Sequence, residues 1–175
     1  MIQKAMAYAT LKHKGQTRAD GTDYIVHPID VYNILKDLYN GDNRENVLCA
    51  GLLHDTLEDT NTSILELTTQ FNEEVASLVT EVTNATYAIK EFGKTDYLIH
   101  KMLNMTDSAL AIKLADRLSN VSDTKGFSEE KRQRLYTETT KIILAVSKHP
   151  NLKPYHAQLI KQIGDCILAK KTPKN

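Results

Sequence analysis

Leu110-Ala111-Ile112-Lys113-Leu114-Ala115-Asp116-Arg117-Leu118-Ser119-Asn120-Val121 carries its apolar residues at helical spacing. Leu110, Ala111, Leu114, Ala115 and Leu118 form one stripe, the pattern of a helix that buries one face. Asp116 lies beside that stripe, and Asn120 follows one turn later on the same face. A carboxylate at the margin of a core stripe needs a partner, and Arg117 is not on its face. A structural Asp–Lys or Asp–Arg pair answers that need; so does a cation.

The same period extends in both directions along the chain. Ile2, Met6, Ala9 and Leu11 predict an amphipathic helix over residues 2–13. The turn-rich Gly15-Gln16-Thr17-Arg18-Ala19-Asp20-Gly21-Thr22 reads as a loop. Pro28 suits a first helical turn, ahead of the stripe Ile29, Val31, Tyr32, Ile34, Leu35, Leu38. Asp42-Asn43 is placed to cap a helix holding Val47, Leu48, Leu52 and Leu53. Thr62-Ser63 opens Ile64-Leu65-Glu66-Leu67, and Asn72 caps Val75, Leu78, Val79 and Val82. Residues 84–94 read as a loop, and helical patterns resume at 95–104, 107–122, 128–148 and 155–169. No segment alternates strictly between apolar and polar residues, so the expectation is an all-α fold. It is a single helical bundle of roughly eight to ten helices over residues 1–169, with 170–175 as a frayed tail.

The chain has 175 residues, enough for one domain with its own core and no disulfide or metal staple. Twenty-two basic residues balance 22 acidic ones, which disfavours a nucleic-acid polymer as partner. No stretch approaches the roughly 18 apolar residues of a membrane span. The start, Met1-Ile2-Gln3-Lys4, reads as the first helix of a mature domain rather than a signal peptide. Cys49 and Cys166 lack CxxC spacing and read as buried or incidental thiols of a cytoplasmic protein. Neutrality is a sum of opposed patches. Residues 37–59 carry six carboxylates against Arg44, and residues 141–175 carry seven lysines against Asp165.

The acidic stretch ends in Leu52-Leu53-His54-Asp55-Thr56-Leu57-Glu58-Asp59. If the helix continues for another turn, His54 and Glu58 stand at i, i+4, and Asp55 faces Glu58 and Asp59. Three carboxylates in five residues repel one another unless a cation neutralises them, although a solvated acidic helix end needs no ligand. His27 follows the apolar pair Ile25-Val26 and precedes Pro28, which restricts its backbone and turns its ring inward. A hydrogen-bonded core histidine is the plainer reading of that position alone. Together His27, His54, Asp55 and Asp116 supply two imidazoles and two carboxylates. Mixed nitrogen and oxygen donors without thiolate suit Mn²⁺, Fe²⁺, Mg²⁺ or Zn²⁺, and the hard oxygens favour Mn²⁺.

In this order the residues resemble the H…HD…D pattern of the HD phosphohydrolase superfamily. Three strings narrow the resemblance to the alarmone hydrolases of RelA/SpoT type. They are His13-x-Gly15-Gln16-x-Arg18-x-x-Gly21-x-x-Tyr24-x-x-His27-Pro28, His54-Asp55-Thr56-x-Glu58-Asp59 and Lys113-Leu114-Ala115-Asp116-Arg117-Leu118-x-Asn120. The resemblance runs from about residue 2 to at least 140, and the remaining residues are too few for a second catalytic domain. It implies a stand-alone small alarmone hydrolase, similar to the metazoan SpoT homologues. The implied fold is the all-α HD domain, and the implied reaction is Mn²⁺-dependent removal of the 3′-pyrophosphate from ppGpp or pppGpp.

Carried over by position, the resemblance makes His27, His54, Asp55 and Asp116 the ligands of one divalent metal. Glu58 and Asp59 position or deprotonate the attacking water. Arg18 contacts the guanine base, Asn120 the nucleotide sugar and Arg134 a phosphate. Lys90, Lys94 and Lys101 are expected to screen the leaving pyrophosphate. The chain departs from the family pattern at Ala19, Asp20, Asp23, Ser119 and Ser122. None is a metal ligand, so these departures bear on substrate affinity and selectivity. The implied partner is a small guanine nucleotide, with no nucleic acid polymer and no membrane. Alternative readings are an HD phosphohydrolase of another nucleotide, NADPH included, and a non-catalytic alarmone-binding domain.

Overall fold

The computed structural model describes residues 1–171, and within them the chain is helical with no strand. Helices α1 (Ile2–Lys12), α2 (Val26–Leu38), α3 (Arg44–Leu53) and α4 (Thr56–Asp59) form the first half with α5 (Ile64–Gln70) and α6 (Glu73–Val82). Helices α7 (Thr86–Phe92), α8 (Lys94–Leu103), α9 (Asp107–Ser122), α10 (Glu129–Val146) and α11 (Pro154–Lys171) complete it. The segments exceed the expected eight to ten because α4 is a single turn and α7 forms where a loop was expected. Gly93, at φ 81°, separates α7 from α8. Helix α11 continues through Lys171, and the rest of the expected tail lies outside the described residues.

Helix α9 is the axis of the domain. Twelve of its 16 residues are buried, so it is enclosed on almost every side rather than on one stripe. It packs against α11, α2, α6 and α3. Three of the buried residues are Lys113, Asp116 and Arg117, charged groups whose presence inside a core requires partners. Helix α3 crosses close to α2 because position 51 is glycine: a Cβ there would stand 2.5 Å from Leu35 Cδ1. Close approach of these helices brings His27 on α2 and His54 at the end of α3 together.

Capping follows the sequence in part. The Ser63 side chain accepts from Glu66 N–H at the start of α5, and Asn72 accepts from Val75 N–H at the start of α6. Asn43 precedes α3 in the left-handed region at φ 52° and makes no side-chain cap bond, so α3 starts without the expected cap. Cys49 is buried, Cys166 is partly buried, and both are free thiols. No helix is long and apolar enough to cross a membrane among the described residues.

Candidate metal centre and cleft

Helix α3 ends at Leu53 rather than continuing through the acidic string, and its own next residues close it. His54 Nδ1 donates to Gly51 O at 2.8 Å, and Thr56 Oγ1 donates to Leu53 O at 2.7 Å. Two carbonyls orphaned by the helix end are thereby satisfied from side chains. The bond to a carbonyl also decides the tautomer of His54: Nδ1 carries the proton, so Nε2 of the neutral ring presents its lone pair.

That lone pair faces the centre of the domain. His54 Nε2 is fully buried and makes no hydrogen bond, although Asp55 Oδ2 stands 3.0 Å away. His27 is anchored in the same sense, with Nδ1 2.9 Å from Ser119 Oγ. Its Nε2 lies 3.3 Å from Asp116 Oδ1 and 3.6 Å from Asp55 Oδ2. The ligand atoms of His27, His54 and Asp116 all fall within 4.8 Å of one another. Three donors from α2, the end of α3 and α9 therefore gather in one small space, and Asp55 Oδ2 borders both rings. An orphaned buried ring nitrogen beside two carboxylates fits a divalent cation.

The electrostatics agree with that geometry. Burial alone would lower the pKa of His54, but the Asp55 and Asp116 carboxylates outweigh it and lift it to about 9. Burial pushes both carboxylates up, and neighbouring cations more than reverse this. His54 and His27 hold Asp55 below its ordinary range, while Lys113 and the two histidines hold Asp116 well below. Without a cation the cluster favours a proton on His54 and keeps its carboxylates ionised, so a metal ion would take the place of that proton.

Neighbouring groups hold these side chains in place. Asn120 Nδ2 donates to Asp116 Oδ1 at 2.5 Å, and Lys113 Nζ lies 3.7 Å from Asp116 Oδ2. Tyr24 donates its hydroxyl to Asp55 Oδ2 at 2.6 Å and stands 3.3 Å from Asp59 Oδ2. Burial, then the Asp55 charge, raises the Tyr24 pKa strongly, so the phenol remains a donor. Asp59 is raised by burial and by Asp55 and Glu58, which makes it a better proton acceptor at neutral pH. Glu58 turns toward the α6–α7 connection, where Asn84 N and Nδ2 each donate to Oε2 at 3.0 Å. His54 and Glu58 are thus not stacked on one continuous helix. Asp55 and Asp59 do share a helical turn, since Asp59 N–H donates to Asp55 O at 2.8 Å.

A cleft of about 510 Å³ opens above the cluster. Arg18, Tyr24, His27, Asp55, Glu58, Asp59, Asp116 and Asn120 of the sequence motifs line it. Arg18 is held by Asp123 through an ion pair of 3.2 Å to Oδ2 and a bond of 3.3 Å to the carbonyl. Arg134 does not reach this cleft; it lines an adjoining chamber of about 190 Å³. Of the three lysines expected to screen a leaving group, only Lys94 lines the cleft. Lys101 donates to Thr83 O at 2.6 Å instead. The remaining cations are Lys113, Arg117, Lys125 and Lys131, none of which the sequence reading assigned a role. Among the described residues, the basic stretch from Lys141 onward contributes nothing to either chamber.

One wall consists of two loops in contact. Residues 15–22 fold back through an isolated bridge between Thr17 and Asp23. Asp20 Oδ1 accepts from Thr22 N at 3.0 Å and from Thr22 Oγ1 at 2.7 Å, so its departure from the family pattern stabilises this turn. The 123–128 loop rests on it at Gly126, which has φ 74°. A Cβ there would meet Ala19 O at 2.4 Å.

Helical architecture with paired imidazoles and carboxylates at its centre defines a class of metal-dependent domain. Residues 5–145 match the HD domain family, and the chain belongs to that family. It is 38% identical over 157 residues to the guanosine-3′,5′-bis(diphosphate) 3′-pyrophosphohydrolase of Spiroplasma citri, covering 87% of this chain and 21% of that protein. It is 39% identical over 150 residues to the enzyme of the same name from Aquifex aeolicus (strain VF5), covering 81% and 20%. The chain spans about a fifth of the length of these curated relatives. Its fold matches the structure described as a metazoan ortholog of SpoT that hydrolyzes ppGpp and plays a role in starvation responses. That match has a TM-score of 0.82 at 29% identity and covers 97% of this chain and 95% of that one.

Proposed function

We propose that this chain is a divalent-metal-dependent hydrolase that removes the 3′-pyrophosphate from ppGpp and pppGpp, giving GDP or GTP and pyrophosphate. The observation that carries the reading is the orphaned His54 Nε2, which faces His27, Asp55 and Asp116 at the floor of a cleft rich in cations. Such a floor suits a cation, and such walls suit a small, highly charged anion. The names of the relatives and of the structural neighbour support the same substrate.

In this reading His27, His54, Asp55 and Asp116 hold one metal ion, Mn²⁺ by its balance of nitrogen and oxygen donors. A divalent ion held there would supply Lewis-acid polarisation of the phosphoryl group and a more acidic attacking water. Asp59 takes the proton from that water, its raised pKa matching the task. Glu58, fixed by Asn84, orients the water from the other side. Tyr24 keeps its proton and holds Asp55 and Asp59 at a set separation. Arg18, pinned by Asp123, offers its guanidinium plane to the purine. Asn120 orients Asp116 and meets the sugar with its remaining hydrogen-bonding capacity, while Arg134 meets a phosphate from the adjoining chamber. Residues 1–169 act as one HD domain in the cytoplasm, with a small guanine nucleotide as partner and neither a nucleic acid polymer nor a membrane.

The test is incubation of the purified protein with ppGpp, NADPH and plain nucleotides, each with Mn²⁺ or with a chelator. Pyrophosphate release from ppGpp that requires the metal is expected. Phosphate release from NADPH alone, or no release from any substrate, overturns the proposal.

A further inference from the structure

Arg117 is the one buried charge of α9 that no interaction explains. It is 6% exposed, its Nε is fully buried without a hydrogen-bond partner, and it pairs with no carboxylate among the described residues. Its neighbour Asp116 is engaged by His27, Asn120 and Lys113. Lys113, one turn earlier on the same face, is also buried and adds a like charge rather than relief. The geometry leaves the planar fork of this buried guanidinium with no carboxylate to meet, and such a fork matches the oxygens of a phosphate.

The position of Arg117 says which anion. It lines the 510 Å³ cleft above the metal ligands and also the 190 Å³ chamber beyond it, and so stands at their junction. Lys94 and Lys131 line both spaces as well. A single phosphate at the metal floor leaves the second space unused, whereas a diphosphate has two charged groups about one bridging oxygen apart.

We propose that Arg117 is the receptor for the substrate's 3′-diphosphate, the one that sits over the metal floor. Its fork grips two oxygens across the junction of the chambers, and this selects a diphosphate over a monophosphate. The inference rests on the hydrolase reading but names a residue and a selectivity that the reading does not contain.

Binding of inorganic pyrophosphate and of inorganic phosphate to the full-length chain, without turnover, tests it. Isothermal titration and thermal denaturation are compared between the parent, Arg117→Met and Arg117→Lys. Arg117→Met is expected to weaken pyrophosphate binding at least about tenfold, with a much smaller change for phosphate. Without ligand it is expected to melt about 2–4 °C above the parent, because an unpaired buried charge has been removed. A merely structural arginine predicts the opposite shift. Arg117→Lys keeps the charge without the fork and is read the same way if the methionine variant does not fold. Pyrophosphate binding within twofold of the parent in the folded variant, or no binding by the parent, overturns the inference. A parent that binds pyrophosphate through Arg117 yet leaves ppGpp intact overturns the hydrolase reading alone. A parent that cleaves ppGpp while the variant binds pyrophosphate normally overturns this inference alone.

Discussion

The floor and the walls of the cleft are built differently. The floor is His27, Asp55 and Asp116, with His54 fully buried against them, set on α2, the end of α3 and α9, and both rings are locked by second bonds. The walls are Arg18, Lys94, Lys125 and Lys131, which stand on loops or helix starts, the three lysines exposed. Side chains held by close packing keep a fixed geometry, while the three exposed lysines can adjust to what enters. The contrast assigns chemistry to the floor and selection to the walls. Changes in the floor should act on metal and turnover, and changes in the walls on KM.

The sharpest break of that division is Asp55→Ala. It is expected to lose metal and at least about a thousandfold in activity together, read from metal content and turnover of one preparation. A metal-free Asp55→Ala protein that stays active removes the floor from the chemistry. Next come Asp59→Asn and Glu58→Ala, each expected to retain metal and lower kcat by about a hundredfold or more. If either loses its metal instead, it belongs with the ligands.

Proton competition has the next largest effect. Nε2 of His54 carries a proton up to about pH 9 in the metal-free protein, so a cation must displace it. Metal affinity should therefore rise between pH 6.5 and 9, by up to about tenfold per pH unit, and then level off. The same raised pKa stabilises the metal-free fold fully below 6.5, and that contribution is lost as pH rises through 9. Titrations with metal and melting curves with chelator across that window should move in opposite directions; parallel trends would count against the assignment.

Ser119→Ala removes the hydroxyl that holds His27 Nδ1 and should weaken metal binding about tenfold or more, with the nucleotide contacts of the walls unchanged. An unchanged metal affinity would show that packing alone orients the ring. The smallest effect is expected from Gly126→Ala, where both φ and the 2.4 Å approach to Ala19 O oppose a side chain. It should cost about 1–3 kcal/mol of stability and raise KM a few fold at constant kcat, measured by denaturation and steady-state kinetics. A fall in kcat at unchanged KM would place the two-loop wall in the chemistry.

Much of this was legible from residue order. Asp116 at the margin of an apolar stripe, with Asn120 one turn on, predicts two groups on one face, and the 2.5 Å bond between them lies there. Helical periodicity located nearly every element, because α-helices are local structures whose signal repeats every few residues. Helix α7 escaped because it is only seven residues long between Asn84 and Gly93, so its stripe of Ala85, Ala88, Ile89 and Phe92 spans two turns and is masked by the flanking turn residues. The break after Leu53 escaped because it depends on His54 and Thr56 bonding back to carbonyls, which competes locally with continuing the helix.

The sequence by itself determined the all-α class, the helix faces and the set of chemical groups from which a metal centre can be drawn. Helical period and donor type are properties of short segments. Only the tertiary structure decided which groups meet. It moved Arg134 into a neighbouring chamber, tied Lys101 to a carbonyl, and brought Lys125 and Lys131 to the cleft. It also left Arg117 buried beside Asp116, with no ion-pair partner among the described residues. Those outcomes depend on contacts between residues far apart in the chain, set by how α2, α3 and α9 pack, and no local pattern encodes them.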